Sequence, residues 1–239
     1  MKKQLLSCLT ISMLLLIIGA CSQTKQVSGS SNYITKDIRV GSFSKIKSMS
    51  SSDIVYTQKQ GTPTVQIYGP DNIVQLLETT VEGKTLVVKF KKNSSIRNSG
   101  KLEIRVSSPS LNHLSIYGSG NTTFTNGMES NDDLEICIYG SGNINLKKID
   151  VPCTEANISG SGNVLLNGKS GKAEYRIAGS GDINAIDLKT EDVNAHISGS
   201  GSIKCHATEN LTGGVSGSGS VAYKGNPQIN FSKRGLRKL

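Results

Sequence analysis

The stretch Ile116-Tyr117-Gly118-Ser119-Gly120-Asn121 returns as Ile138-Tyr139-Gly140-Ser141-Gly142-Asn143 and Ile158-Ser159-Gly160-Ser161-Gly162-Asn163. It returns again as Ile177-Ala178-Gly179-Ser180-Gly181-Asp182, Ile197-Ser198-Gly199-Ser200-Gly201-Ser202 and Val215-Ser216-Gly217-Ser218-Gly219-Ser220. The first glycines lie 22, 20, 19, 20 and 18 residues apart, a near-constant period that marks a repeat architecture. The flanks turn the repeat into structure. Two residues before each first glycine stand Ile116, Ile138, Ile158, Ile177, Ile197 and Val215. Four after stand Thr122, Ile144, Val164, Ile183, Ile203 and Val221, while Asn157, Arg176, His196, Asn145 and Lys204 take intervening positions. Alternation of period two on both sides of each motif predicts strand, tight corner, strand, with one face inward.

One such unit cannot bury its inner face. Stacking the coils about 4.8 Å apart buries a continuous aliphatic column and pairs each strand with the coil above and below. The fold class expected is therefore all-β, a single-stranded β-solenoid of stacked coils with Gly-Ser-Gly corners between two sheets. Asn121, Asn143 and Asn163, continued by Asp182, are expected to form a polar ladder beside the corner. Composition agrees: 26 glycines, 5% aromatics and no Trp suit small stacked contacts and many turns rather than a core of large rings.

Met1-Lys2-Lys3 and the apolar stretch Leu5 to Ile18 read as a signal peptide, too short for a spanning helix. Ile18-Gly19-Ala20-Cys21 is similar to the lipobox of bacterial lipoproteins. That resemblance implies cleavage after Ala20 and acylation of Cys21, with lipid chains holding the protein on a membrane. Ser22, in place of the Asp that signals inner-membrane retention in such proteins, points to the outer membrane. Residues 21–35 read as a flexible tether and residues 36–110 as atypical N-terminal β coils, among them Thr64-Val65-Gln66-Ile67-Tyr68 and Thr85 to Phe90. Ile67-Tyr68-Gly69-Pro70-Asp71-Asn72 reads as a degenerate echo of the repeat, and Asn72 to Glu78 as a helical turn or two. Residues 111–232 form the repeat solenoid and 233–239 a basic tail that can touch anionic lipid. The formal net charge is +9, nearly balanced over the body of the chain. Nucleic-acid binding is not expected of an exported chain without a basic-aromatic motif.

The alternating strands of the first half, Ser107-Ser108-Pro109-Ser110-Leu111, the six corners and Tyr223-Lys224-Gly225-Asn226-Pro227 together resemble the head-GIN domain family of auto-transporter adhesins, over roughly residues 36–232. The resemblance implies a shape similar to pectin-lyase-like superhelices, corners between two sheets, loss of the enzymes' catalytic residues, and adhesion, as a trimer. The chain departs from the pattern at Ser232-Lys233-Arg234-Gly235, where a further Gly-Ser-Gly would stand.

No enzyme chemistry is expected. Asp133 and Asp192 share an offset of seven before the glycine but lie three coils, about 14 Å, apart. Glu155, Asp150, Asp182 and Asp187 fall at other offsets, so no acid–base pair is read from spacing. His113, His196 and His206 lack metal-ligand spacing, and no cofactor or metal is implied. Cys137 and Cys153 fall about 13 Å apart, too far for a disulfide, and Cys205 is an inward core thiol. Tyr117 and Tyr139 share an outward register on adjacent coils, with Tyr68 as a preceding member. They form a candidate strip for stacking on sugar rings, or a pair that packs to cover sheet backbone. The functional readings are an adhesive or structural solenoid on a lipid anchor that meets host or envelope glycans or proteins, a glycan-binding module acting through that strip, and a degenerate carbohydrate-active enzyme.

Overall fold

The computed structural model describes residues 26–232 and 234–239. Cys21, Ala20 and the signal segment lie outside the described residues. The first half holds β1 (Gln26–Ser28), β2 (Tyr33–Ile38), β3 (Lys45–Met49), β4 (Asp53–Gln58) and β5 (Thr64–Pro70). The short helix α1 (Asp71–Val74) precedes β6 (Leu77–Glu82), β7 (Thr85–Phe90), β8 (Ser95–Asn98) and β9 (Glu103–Ser108). The repeat region holds β10 (His113–Ile116), β11 (Thr122–Phe124), β12 (Met128–Glu129), β13 (Leu134–Ile138) and β14 (Asn143–Gly160). It continues with β15 (Asn163–Gly179), β16 (Asp182–Gly199), β17 (Ser202–Gly217) and β18 (Ser220–Lys224). β19 (Gln228–Phe231) and β20 (Leu236–Lys238) close the chain.

The coils stack in parallel as a β-solenoid of about six turns. Ile116 pairs with Ile138, Ile138 with Ile158, Ile158 with Ile177, Ile177 with Ile197 and Ile197 with Val215. The five isoleucines are buried, so residues one period apart do lie atop one another. The corner parts two faces, and a third, narrow side closes each coil, where Met128 pairs with Ile149 and Ile149 with Gly168. A straight strand of 18 residues such as β14 would run to about 60 Å. It instead bends around the coil, with a register shift between Leu146 and Ile149. Core volume is balanced between rungs: Tyr175, wholly buried, sits between Ala156 and Ala195, and Ala195 is followed by Gly213.

The corner explains its own sequence. A Cβ on Gly140 would run into the carbonyl oxygen of Gly118, and one on Gly142 into that of Gly120. Coils 4.8 Å apart leave no space there for a side chain. Gly118 and Gly120 meet the carbonyls of Ser50 and Ser52 in the same way. Ser50-Ser51-Ser52 is thus a seventh corner, between β3 and β4. Its serines are tolerated because no tight corner lies beneath it, the chain between β7 and β9 being a longer excursion through β8. Ser50 and Ser52 are buried and joined Oγ to Oγ at 2.6 Å.

Three expectations are corrected. The span 21–35 is not all tether, because β1 pairs with β8 and Tyr33 already pairs with Pro70. Ile67 to Asn72 is not a repeat corner. β5 runs antiparallel to both β2 and β9, and α1 follows it, burying Ile73 and Val74 over the end of the core. The last residues are not a free tail either. β19 lies on β17, β20 lies on β18, and the Val221 amide donates to the Gly235 carbonyl at 2.7 Å.

The polar ladder is present from Asn121 to Asn163 and starts a rung earlier, at Asp53, while Asp182 hydrogen-bonds onward to Ser202 and not back to Asn163 among the described residues. Asn163 Nδ2 donates to Asn143 Oδ1 at 2.7 Å and Asn143 Nδ2 to Asn121 Oδ1 at 2.8 Å. Asn121 donates its backbone N–H to Asp53 Oδ1 at 2.8 Å, and further along Asp182 Oδ1 accepts the N–H and Oγ–H of Ser202.

Candidate functional site

Alternation along β10 and β13 sends Ile116 and Ile138 inward and the next residue outward. Tyr117 and Tyr139 are therefore 43% and 48% exposed, on successive rungs. Their rings stack with centroids 4.6 Å apart and planes 19° apart. The Tyr117 amide donates to Ser48 and the Tyr139 amide to Ile116, each at 2.8 Å, which fixes the two backbones at coil spacing. Lys47 Nζ sits 5.0 Å from the Tyr117 ring centroid, a cation–π distance. The charge Cys137 would carry once ionised, then its hydrogen bond to Tyr139, with smaller effects from burial, Tyr117 and Glu135, raise the Tyr139 phenol above its ordinary value, so it stays a neutral donor.

Tyr68 does not join the pair. It lies on antiparallel β5, where it packs on Tyr33 at 5.5 Å with Lys101 and Arg105 over its ring. Direction of chain, not spacing in sequence, removes it from the strip.

Beyond Tyr139 the outward position shrinks. Ser159 pairs with Ala178, Ala178 with Ser198 and Ser198 with Ser216. These small residues floor a largely carbon-lined groove of about 630 Å³ that runs from Tyr139 to Ser232. Asn157, Arg176 and His196, stacked in register, form one wall. A flat aromatic platform thus opens onto a shallow trough edged by hydrogen-bonding groups, an arrangement suited to a long, flat ligand.

Two positions further out stands a row of carboxylates that the spacing argument passes over. Glu135 pairs with Glu155, and Glu155 with Glu174, so three carboxylates occupy adjacent rungs. All three stand five residues before their glycine, a shared offset that could have revealed them in the sequence. Each is occupied. His113 Nδ1 lies 2.8 Å from Glu135 Oε2, Asn157 Nδ2 donates to Glu155 Oε1 at 2.8 Å, and Arg176 reaches both Glu155 and Glu174. Asp133 and Asp192 stand apart as read, with Cys153 and Lys172 in register ahead of Asp192.

His113 faces Glu135, His196 edges the groove and His206 lies between Lys189 and Lys224, so the three histidines are not brought together. Among the described residues no cluster of His, Cys, Asp and Glu is placed to hold a metal ion, and no helix is long and apolar enough to cross a membrane. Cys137, Cys153 and Cys205 are free thiols. Burial pushes Cys205 up to about 12, and burial with the nearby Glu135 charge pushes Cys137 up to about 11, so both stay protonated and inert.

A family model described as "Putative auto-transporter adhesin, head GIN domain" matches residues 42–227. A crystal structure of a "putative adhesin" from Bacteroides fragilis is 36% identical, with a TM-score of 0.82 over 89% of this chain and 95% of that one. A "putative lipid binding protein" from Parabacteroides distasonis is 26% identical, with a TM-score of 0.76 over 90% of this chain and 100% of that one. A "putative adhesin" from Parabacteroides merdae is 26% identical, with a TM-score of 0.75 over 89% and 96%. No curated protein matches the chain.

Proposed function

The chain belongs to the family described as "Putative auto-transporter adhesin, head GIN domain", and from that premise we propose that it is a non-catalytic outer-membrane lipoprotein whose solenoid adheres to glycan through the Tyr117–Tyr139 platform. The observation that carries the glycan reading is the stacked, half-exposed ring pair at the head of a groove edged by Asn157, Arg176 and His196. Sugars offer flat C–H faces to aromatic rings and hydroxyls to such edges. Adhesin-named relatives support the adhesive role. The occupied state of Glu135, Glu155 and Glu174 argues against their service as acid and base.

Anchoring at Cys21, after cleavage behind Ala20, would act through a short link. Gln26 opens β1 five residues later, a reach of at most about 18 Å. The N-terminal end of the stack would then face the membrane and the β19–β20 end would point away. Trimerisation belongs to the same proposal.

Glycan-array binding by the purified protein, reduced in the Tyr117→Ala/Tyr139→Ala double variant, tests the platform; unchanged binding would falsify it. Loss of palmitate labelling on Cys21→Ala tests the anchor, and external protease applied to intact cells tests surface display. The relative named for lipid binding suggests a second reading, favoured by the carbon-lined groove floor. There an acyl chain would lie along Ser159, Ala178 and Ser198, and Ala178→Glu would abolish its retention.

A further inference from the structure

The narrow third side of the coil carries a column of charge that neither the adhesive reading nor the tyrosine platform uses. Asp150 pairs with Lys169, Lys169 with Lys189, Lys189 with His206 and His206 with Lys224. Four consecutive rungs therefore present Lys, Lys, His and Lys in one line parallel to the solenoid axis. Lys169, Lys189 and Lys224 are exposed and His206 is half-buried. Lys204, also exposed, lies two residues before His206 on the same face of β17, and Arg237 follows two rungs along from Lys204 through Ala222.

Like charges on directly paired rungs repel. Elsewhere on this surface such charges are compensated, as Arg176 compensates Glu155 and Glu174. Here, among the described residues, the one ion pair on the column is Lys169 to Asp150 at 3.4 Å, at its N-terminal end. Among the described residues no ion pair reaches Lys189, Lys204, Lys224 or Arg237. The lysines of this row, of which only Lys169 is ion-paired, are held in line by backbone pairing and concentrate positive potential along one edge, with Asp187 opposing it beside His206.

We propose that this column, Lys169, Lys189, His206 and Lys224 flanked by Lys204 and Arg237, is a docking edge for a linear acidic polysaccharide. The rungs advance by about 4.8 Å, so the lysines form a line of regularly spaced charges that the repeating carboxylates of an extended acidic polymer can follow. A line along a ridge matches an extended polymer, whereas a flat anionic membrane calls for cations spread over a plane. The site is separate from the Tyr117–Tyr139 platform and does not depend on it.

The test compares binding of the purified full chain, in neutral detergent, to polygalacturonate, to neutral dextran, and to phosphatidylglycerol against phosphatidylcholine vesicles. The expected result is polygalacturonate binding at low salt that fades as salt rises, with no dextran binding at this edge. Lys189→Glu/Lys224→Glu, checked by thermal melting for a native fold, weakens it about tenfold or more. The milder Lys189→Gln/Lys224→Gln weakens it less, and Tyr117→Ala/Tyr139→Ala leaves it intact. The proposal is overturned by absence of polygalacturonate binding, by equal binding in the charge-reversed variant, or by its loss in the tyrosine variant. It is equally overturned if phosphatidylglycerol vesicles, and not the polymer, show binding that the charge reversal removes.

Discussion

The carbonyl oxygen of Ser50 fills the space into which a Cβ on Gly118 would project. The same relation recurs from Gly118 to Gly140 and from Gly140 to Gly160, so each corner glycine is imposed by the coil before it. Gly140→Ala or Gly160→Ala should force two coils apart and cost on the order of 1–3 kcal/mol. Ser50→Ala, at a corner with none beneath, should cost far less. Chemical denaturation of the three variants checks this ranking, and equal losses at Ser50 and Gly140 would sink the crowding account.

Tyr175 fits because alanines occupy the rungs on either side. Tyr175→Ala should open a cavity between Ala156 and Ala195 and destabilise the protein by about 3–5 kcal/mol. Ala195→Leu should also destabilise, by overpacking. The double variant Tyr175→Ala/Ala195→Leu should recover part of the loss, seen as a higher melting temperature than either single change gives.

Arg176 bridges the carboxylates of Glu155 and Glu174 on adjacent rungs. Arg176→Ala leaves the two like charges facing each other and should cost on the order of 1 kcal/mol at low ionic strength. Added salt should restore most of it. A salt-independent loss would point to packing of the arginine stem instead of charge.

Partial burial first, then the charges of Lys224 and Lys189, hold His206 below the ordinary imidazole value of 6.5, with Asp187 opposing. Between that value and the lower native one, the unfolded chain binds more protons than the folded chain. Stability should therefore fall as pH drops below about 6.5 and stay flat above it for this group. His206→Gln should flatten the curve in denaturation series across that range. Polygalacturonate on the column should move the His206 titration upward, as followed by its ring proton resonances.

Much of the fold was legible because the hydrophobic ladder declares itself: Ile138, Ile158, Ile177 and Ile197 differ in position by one period and meet in space. The corner of Ser50 to Ser52 was hidden for the reason that makes it informative, since no glycine is needed where no corner lies below. Tyr68 carried the right local pattern, Ile-Tyr-Gly, but strand direction is a tertiary property, and pairing with β2 and β9 reversed it. The glutamate row was readable from a shared offset, yet its partner Arg176 sits at another offset and only the register brings them together. The strands within 26–35 and 236–238 are polar and short, and what orders them is the edge they dock against.

Because each coil brings the glycines that make room for its predecessor, coils are bricks that share one corner while their core residues are matched to their neighbours. Inserting one more brick of about twenty residues near β15 would leave both ends chemically unchanged and move them apart by one course, about 4.8 Å. The height of the far edge is therefore a number written in brick count, adjustable by duplication in small equal steps so long as each added brick keeps small residues beside Tyr175.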